Sequence, residues 1–421
     1  MLYLTYKLHR EILEDKYAII SPLILATTFL WINYSNMATQ DIVFSAIVTF
    51  GIYKTIKAYK YNKNLDIFFA GIWIGLGIML KTYLIAIPLL PLLPFLVKKK
   101  IIFKKYYWIG LIIGIIPFLI WTGNIIHFYG FNTYSGLYIK LLTLSENNNF
   151  TKPFYYYLWN LPLNIFPWSL LTFIGLYYSR RIKIQLAKYF LFYYPIGIII
   201  LLSIFSTKTP YYTIQILSLL SINTFLGLVQ IRKSSNLIIK VIKIFNFIIV
   251  PFLTFLIVFL IYSKKIMLDI DFITLKFLSI GFFIFSFFWL SQNFIKDNKL
   301  RLISILIGPY FLSVSLLQSG LITDKSKELR LAMEDLLTNE SFRGLEIKTI
   351  RSEVNNESSY SKIIKILSQM PKIGKGIESI DELNFNEYAW TTSSEKSLKN
   401  KENIRVINNS NIFNPWKLIL R

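Results

Sequence analysis

The chain has no cysteine and only two histidines in 421 residues. Neither a disulfide framework nor a thiolate metal site is therefore available to it. Acidic residues are scarce too: residues 1–320 hold nine Asp and Glu against 30 Lys and Arg. No signal-peptide pattern opens the chain, because Met1–Tyr17 is polar and of mixed charge, with Lys7, Arg10, Glu11, Glu14, Asp15 and Lys16. The net charge of +23 would suggest nucleic acid in a soluble protein. Its distribution argues against that partner. Residues 321–421 carry 16 basic and 14 acidic side chains, so nearly all the excess lies between apolar runs, where it reports membrane topology.

What the chain has in quantity is apolar surface. It is 54% hydrophobic and 17% aromatic, with a mean hydropathy of +0.50. Repeated runs of about 17–25 apolar residues predict an all-α polytopic membrane protein. About ten to eleven transmembrane helices are expected, near 17–33, 42–58, 66–80, 83–97, 106–126, 156–178, 188–205, 211–229, 244–262, 272–290 and 302–320. Lysine and arginine cluster at 54–63, 98–105, 180–188, 232–243 and 296–301. Placing these loops on the inner side, with the N-terminal segment, puts 23 of the 30 basic residues there and seven on the outer side or at helix ends. That split favours a cytoplasmic N-terminus. It requires a hairpin at Lys81-Thr82 and leaves residue 321 onward outside. Two domains follow: a multi-helix transmembrane domain, 1–320, and a small C-terminal α/β extracytoplasmic domain, 321–421. In the second, Leu345–Ile350 and Ile404–Ile407 read as strands, Ser361–Met370 as a helix stopped by Pro371, and Gly374 and Gly376 as turn residues.

The outer loops contain few ionisable groups. The acids are Asp41, Glu146, Asp269 and Asp271; the bases are Lys81, Lys140, Lys152, Lys208, Lys264 and Lys265, with His127 the sole imidazole. No second histidine lies near His127, which gives little support for a metal site. Lys81 sits between apolar helices, and Ser206–Tyr212 sets a lysine, hydroxyls and two phenols at a helix start. Cations and hydroxyls at this surface suit a lipid phosphate. Snorkelling explains the lysines equally well, the aromatic belt explains the tyrosines, and a helix N-cap for 42–58 explains Asp41.

The order of these features resembles a family. Trp31–Asp41 is similar to the small-residue-then-Asp segment of polyprenyl-phosphate-dependent glycosyltransferases of the C-type membrane fold, which include protein mannosyltransferases and the lipid A aminoarabinose transferases. Gly71–Lys81 resembles their Gly-rich helix ending in Leu-Thr-Lys. Lys152–Leu158 with Phe166-Pro167-Trp168 resembles their Pro-Phe-Trp-Tyr-Tyr … Pro-Trp stretch, and Ser206–Tyr212 their Ser-x-x-Lys-x-x-Tyr-Tyr segment. The resemblance spans about residues 1–230. It implies inverting transfer of a sugar from a polyprenyl-phosphate-linked donor to a lipid, glycan or protein acceptor at the outer face of a bacterial inner membrane. Asp41 would be a supporting acid, and Lys81, Lys208, Tyr211, Tyr212 and Lys140 would hold the donor phosphate. The family also brings a divalent metal as a candidate cofactor.

The chain departs from that pattern at its start. Relatives begin with a helix and a large outer loop carrying the principal catalytic Asp, whereas Met1–Thr5 looks like the tail of an earlier span. The chain taken alone is therefore expected to be inactive. Two other classes stay open. A transporter or flippase would show internal repeats and mid-membrane ionisable groups, which this sequence does not. A non-catalytic envelope-assembly protein is compatible with the missing loop, and the coding sequence upstream of Met1 would discriminate.

Overall fold

A computed structural model describes residues 1–37, 39–143, 151–234, 236–263, 272–324, 326–338, 346–350, 357–393, 398, 404–407 and 411–421. The chain divides into two compact units, Met1–Thr323 and Asp324–Arg421.

The first unit is helical. Among the described residues, eight helices are long and apolar enough to cross a membrane: Gln40–Tyr61, Asn64–Leu89, Lys105–Asn132, Gln185–Ile204, Pro210–Lys233, Leu237–Tyr262, Phe272–Ser291 and Asn298–Gln318. Leu237–Tyr262 and Lys105–Asn132 are apolar yet mostly unburied by protein. In water such faces would be aggregation surfaces; in a bilayer they are the lipid boundary. The chain is an integral membrane protein.

Three expected spans are broken into shorter pieces. Region 17–33 forms Ile20–Ala26 and Phe29–Ser35, parted at Thr27 and Thr28. Both hydroxyls bond back to carbonyls of the preceding turn, a local bond that competes with helix continuation. Region 83–97 follows a turn at Thr82 (φ 46°, ψ −117°) and forms Thr82–Ile85, Ala86–Leu89 and Leu93–Lys98. Pro88, Pro91 and Pro94 remove three amide donors from it. Region 156–178 splits into Tyr156–Asn164 and Ser169–Ser179 around Pro167.

Glycines set the closest helix crossings. A Cβ on Gly71 would stand 2.0 Å from the Tyr107 carbonyl oxygen, and one on Gly110 2.0 Å from that of Phe68. Gly75 and Gly114 are packed in the same way one turn along. Gly175 and Gly227 make a second such crossing, against the backbones of Asn223 and Leu171. The Gly-rich stretch before Lys81 is thus a packing surface that fixes the helix presenting that lysine. Buried hydroxyls also tie helices together: Ser218 contacts Thr5 (2.9 Å) and Thr49 (3.2 Å), and Thr172 meets Thr224 at 2.7 Å.

The second unit is a five-stranded sheet with helices Lys327–Thr338 and Glu357–Leu367. Its strands are β1 (Ile347–Ile350), β2 (Ile373–Ile377), β3 (Tyr388–Thr391), β4 (Arg405–Val406) and β5 (Lys417–Leu420), in the order β2-β1-β3-β5-β4. β1 pairs in parallel with β2 and β3, and the other two pairings are antiparallel. Trp390, Phe413 and Trp416 are buried in the core, and the Trp416 indole donates to the Ser359 carbonyl at 2.8 Å. Gly374 and Gly376 lie inside β2 rather than in a turn. A Cβ on Gly374 would come within 2.6 Å of the Ile347 carbonyl oxygen, so close strand approach accounts for that glycine.

Candidate functional site

The four resembling stretches, far apart in sequence, meet at one end of the helical unit. Asp41 lies in the first turn of Gln40–Tyr61, and Thr39 occupies the N-cap position instead of Asp41. The Asp41 side chain therefore caps nothing; its carboxylate faces Lys81, the last residue of helix Asn64–Lys81, at 3.0 Å. Each charge sits at the helix end that favours it, the anion at an N-terminus and the cation at a C-terminus. Both side chains are mostly buried, 13% and 17% exposed.

The third member comes from the short turn Pro210–Ile216 that opens the Pro210–Lys233 span. The Tyr211 ring lies 5.7 Å from the Lys81 ammonium, a cation–π distance. It also packs edge-on against Tyr34 at 5.7 Å and against Tyr212 at 4.9 Å. Asp41, Lys81, Tyr211 and Tyr212 line a narrow crevice of about 20 Å³, completed by Phe44, Ser45, Leu84, Ile87 and Gln215. The Gln215 amide nitrogen donates to the Tyr212 carbonyl (2.9 Å), whereas its Oε1 is buried with no hydrogen-bond partner among the described residues. Ser45 and Gln215 carried no signal in sequence. Their place in the crevice follows from helical spacing: Ser45 is four residues on from Asp41 in an α-helix, and Gln215 three on from Tyr212 in a 3₁₀-helix.

Lys208 is placed differently. It is 4% exposed, and its ammonium donates to the carbonyls of Lys152 (3.0 Å) and Phe205. Burial lowers its pKa from the ordinary lysine value. Around it, the Lys152 amide donates to Ser206 (3.2 Å), Thr151 bridges Thr207, and the Tyr157 hydroxyl donates to the Thr209 carbonyl (3.1 Å). Lys208 thus fastens the Lys152–Tyr157 stretch to the Ser206–Tyr212 stretch and does not line the crevice. Trp168 of the Phe-Pro-Trp motif is fully buried, bonded to Thr27 Oγ1 (3.0 Å) and packed on Trp289.

Lys140 lies on the helix beyond Gly130, but its side chain is outside the described residues. His127 is exposed on the same long helical stretch. Glu146, Asp269, Asp271, Lys264 and Lys265 fall outside the described residues. Among the described residues no three His, Asp or Glu side chains converge, and Asp41 has a lysine beside it where a metal would need further anionic donors. The described donor set does not fit a metal.

The comparisons agree on the fold. Residues 1–121 match the family model described as dolichyl-phosphate-mannose-protein mannosyltransferase. The whole chain is similar to ArnT from Cupriavidus metallidurans bound to undecaprenyl phosphate, with a TM-score of 0.72 at 12% identity, covering 100% of this chain and 81% of that one. The apo state of the same protein aligns with a TM-score of 0.66 at 13% identity over the same shares. No curated protein sequence matches the chain. The chain has the C-type glycosyltransferase fold.

Proposed function

We propose that the chain is a polyprenyl-phosphate-dependent glycosyltransferase and that the Asp41–Lys81–Tyr211 crevice receives the donor's phosphate. The observation that carries this reading is the Lys81 ammonium, held by a glycine-packed helix at the mouth of a crevice walled by Phe44, Leu84 and Ile87. A lipid phosphate needs that combination: a fixed cation for the headgroup and apolar walls for the first prenyl carbons. Arrival of the phosphate offers Lys81 a second anion. The ammonium has three donors, so it can bind both oxyanions at once. As the sugar leaves, the phosphate gains charge, and a cation already in position stabilises that change without reorganising. Asp41 acts as a supporting acid that orients Lys81. Gln215 Oε1 and the Tyr211 and Tyr212 hydroxyls offer hydrogen-bond partners for the sugar or the phosphate.

The positive-inside count supports a cytoplasmic N-terminus, with the crevice and the Asp324–Arg421 unit on the outer side of a bacterial inner membrane. The test is sugar transfer from a polyprenyl-phosphate-linked donor in proteoliposomes. It compares the chain, the chain extended by the coding sequence upstream of Met1, and the Lys81→Gln form of each. Transfer that disappears in Lys81→Gln is expected. No transfer by either form, together with no binding of polyprenyl phosphate, overturns the proposal.

A further inference from the structure

The helical unit has a second cavity, at the other end of the helix that carries Tyr211. Tyr211 and Arg232 are 21 positions apart on the Pro210–Lys233 span, about 30 Å at roughly 1.5 Å per residue, the thickness of a bilayer's hydrocarbon core. Arg232 and Lys233 open into a cavity of about 600 Å³. Lys243, Lys299 and Arg301 reach the same space from two other helices. Asp15 is the one acid in its lining, and its Oδ1 already accepts from the Tyr17 amide at 2.7 Å. The Arg301 guanidinium donates to the Ile295 carbonyl (3.0 Å from Nε), whereas Arg232, Lys233, Lys243 and Lys299 have no ion-pair partner among the described residues.

The walls below these charges are apolar: Ile20, Phe225, Leu228, Phe247, Leu302 and Ile305. On the helix that carries Lys243, Leu237, Ile238, Val241 and Ile244 are exposed, a surface that faces lipid. We infer that this cavity binds an anionic phospholipid, with the phosphate among Arg232, Lys243 and Lys299 and an acyl chain along the apolar walls. The mixed lining selects that occupant. A free anion would have no use for the apolar walls, and a neutral lipid would leave the cluster of positive charge uncompensated.

The test is lipid retention by the purified full chain, read by native mass spectrometry after exposure to equal amounts of phosphatidylglycerol and phosphatidylcholine. Phosphatidylglycerol should be retained preferentially. Each charge removed should weaken retention about fivefold, so Arg232→Gln/Lys243→Gln/Lys299→Gln should lose about 100-fold and fall to the phosphatidylcholine level. Arg232→Lys/Lys243→Arg should retain the preference. Lys98→Gln/Lys99→Gln/Lys100→Gln, which removes the same charge from another basic loop, should also leave it intact. If the triple variant fails to fold, Lys299→Gln alone, at an exposed helix start, carries the test with a fivefold loss. Equal retention of both lipids, an unchanged preference in the cavity variants, or the same loss in the Lys98–Lys100 variant overturns the inference. So does displacement of the lipid by inorganic phosphate alone. None of these readouts requires sugar transfer, so they stand or fall apart from the transferase proposal.

Discussion

Substituting Lys81 and Asp41 separately should move binding of the lipid phosphate in opposite directions. The two charges are 3.0 Å apart. At an effective dielectric of about 20 their attraction is about 5.5 kcal/mol before desolvation is subtracted. With both side chains mostly buried, the net coupling should be about 1–3 kcal/mol, since desolvation offsets much of the attraction. Lys81→Gln removes a charged donor from the proposed phosphate position. Losing one charge-assisted hydrogen bond costs about 1.5–3 kcal/mol, or roughly 10- to 150-fold in affinity for polyprenyl phosphate. Asp41→Asn removes a neighbouring anion and releases Lys81. Repulsion between a carboxylate and a phosphate some 6 Å apart is about 2.8 kcal/mol at the same dielectric, so this variant should bind more tightly, by up to about 100-fold. Its transfer rate should nonetheless fall, because Lys81 loses the group that orients it. The assay is titration of polyprenyl phosphate into protein in nanodiscs, with a double-mutant cycle on thermal unfolding run beside it. If Asp41→Asn weakens binding as much as Lys81→Gln, the pair is a structural clasp and the phosphate assignment is refuted.

Lys208→Met should leave polyprenyl-phosphate affinity within about twofold but cost about 1–3 kcal/mol of stability, because two carbonyls lose their donor; thermal unfolding and the same titration check this. Gly114→Val should destabilise by 3 kcal/mol or more, above the usual ~1–3 for overpacking, since its Cβ would meet the Ile72 carbonyl oxygen at 2.4 Å, read as a loss of folded yield and melting temperature. His9 is fully buried, and burial pushes its pKa down to about 4 from an ordinary 6.5. A lowered folded pKa means the unfolded chain takes up the proton first, so stability is full above pH ~6.5 and declines between there and pH ~4, by about 3 kcal/mol in total. His9→Gln should flatten that decline in an acid-unfolding series, and an unchanged profile would contradict the assignment.

The membrane class was legible in the sequence because hydrophobic length and lysine clustering are local quantities, set by bilayer thickness and surface charge. Asp41, Lys81 and Tyr211 could be singled out for a similar reason: ionisable groups beside long apolar runs are few enough to enumerate. The break at Thr27-Thr28 and the division of 83–97 into short pieces were harder to read, since hydropathy averages over a window and does not register a hydroxyl bonding backwards or the amide donors that Pro88, Pro91 and Pro94 remove. Which lysine faces the crevice was not legible at all. Lys81 and Lys208 look alike in sequence, each beside an apolar helix, yet one meets a carboxylate and a phenol while the other spends its donors on backbone carbonyls. The difference arises from long-range packing: the glycine crossing of Gly71 and Gly75 with Gly110 and Gly114 places Lys81, and the Thr151–Thr207 bridge places Lys208. The sequence determined that there would be a membrane bundle with cations at one face. Only the tertiary structure decided which cation lines the crevice, because that depends on neighbours brought together from distant parts of the chain.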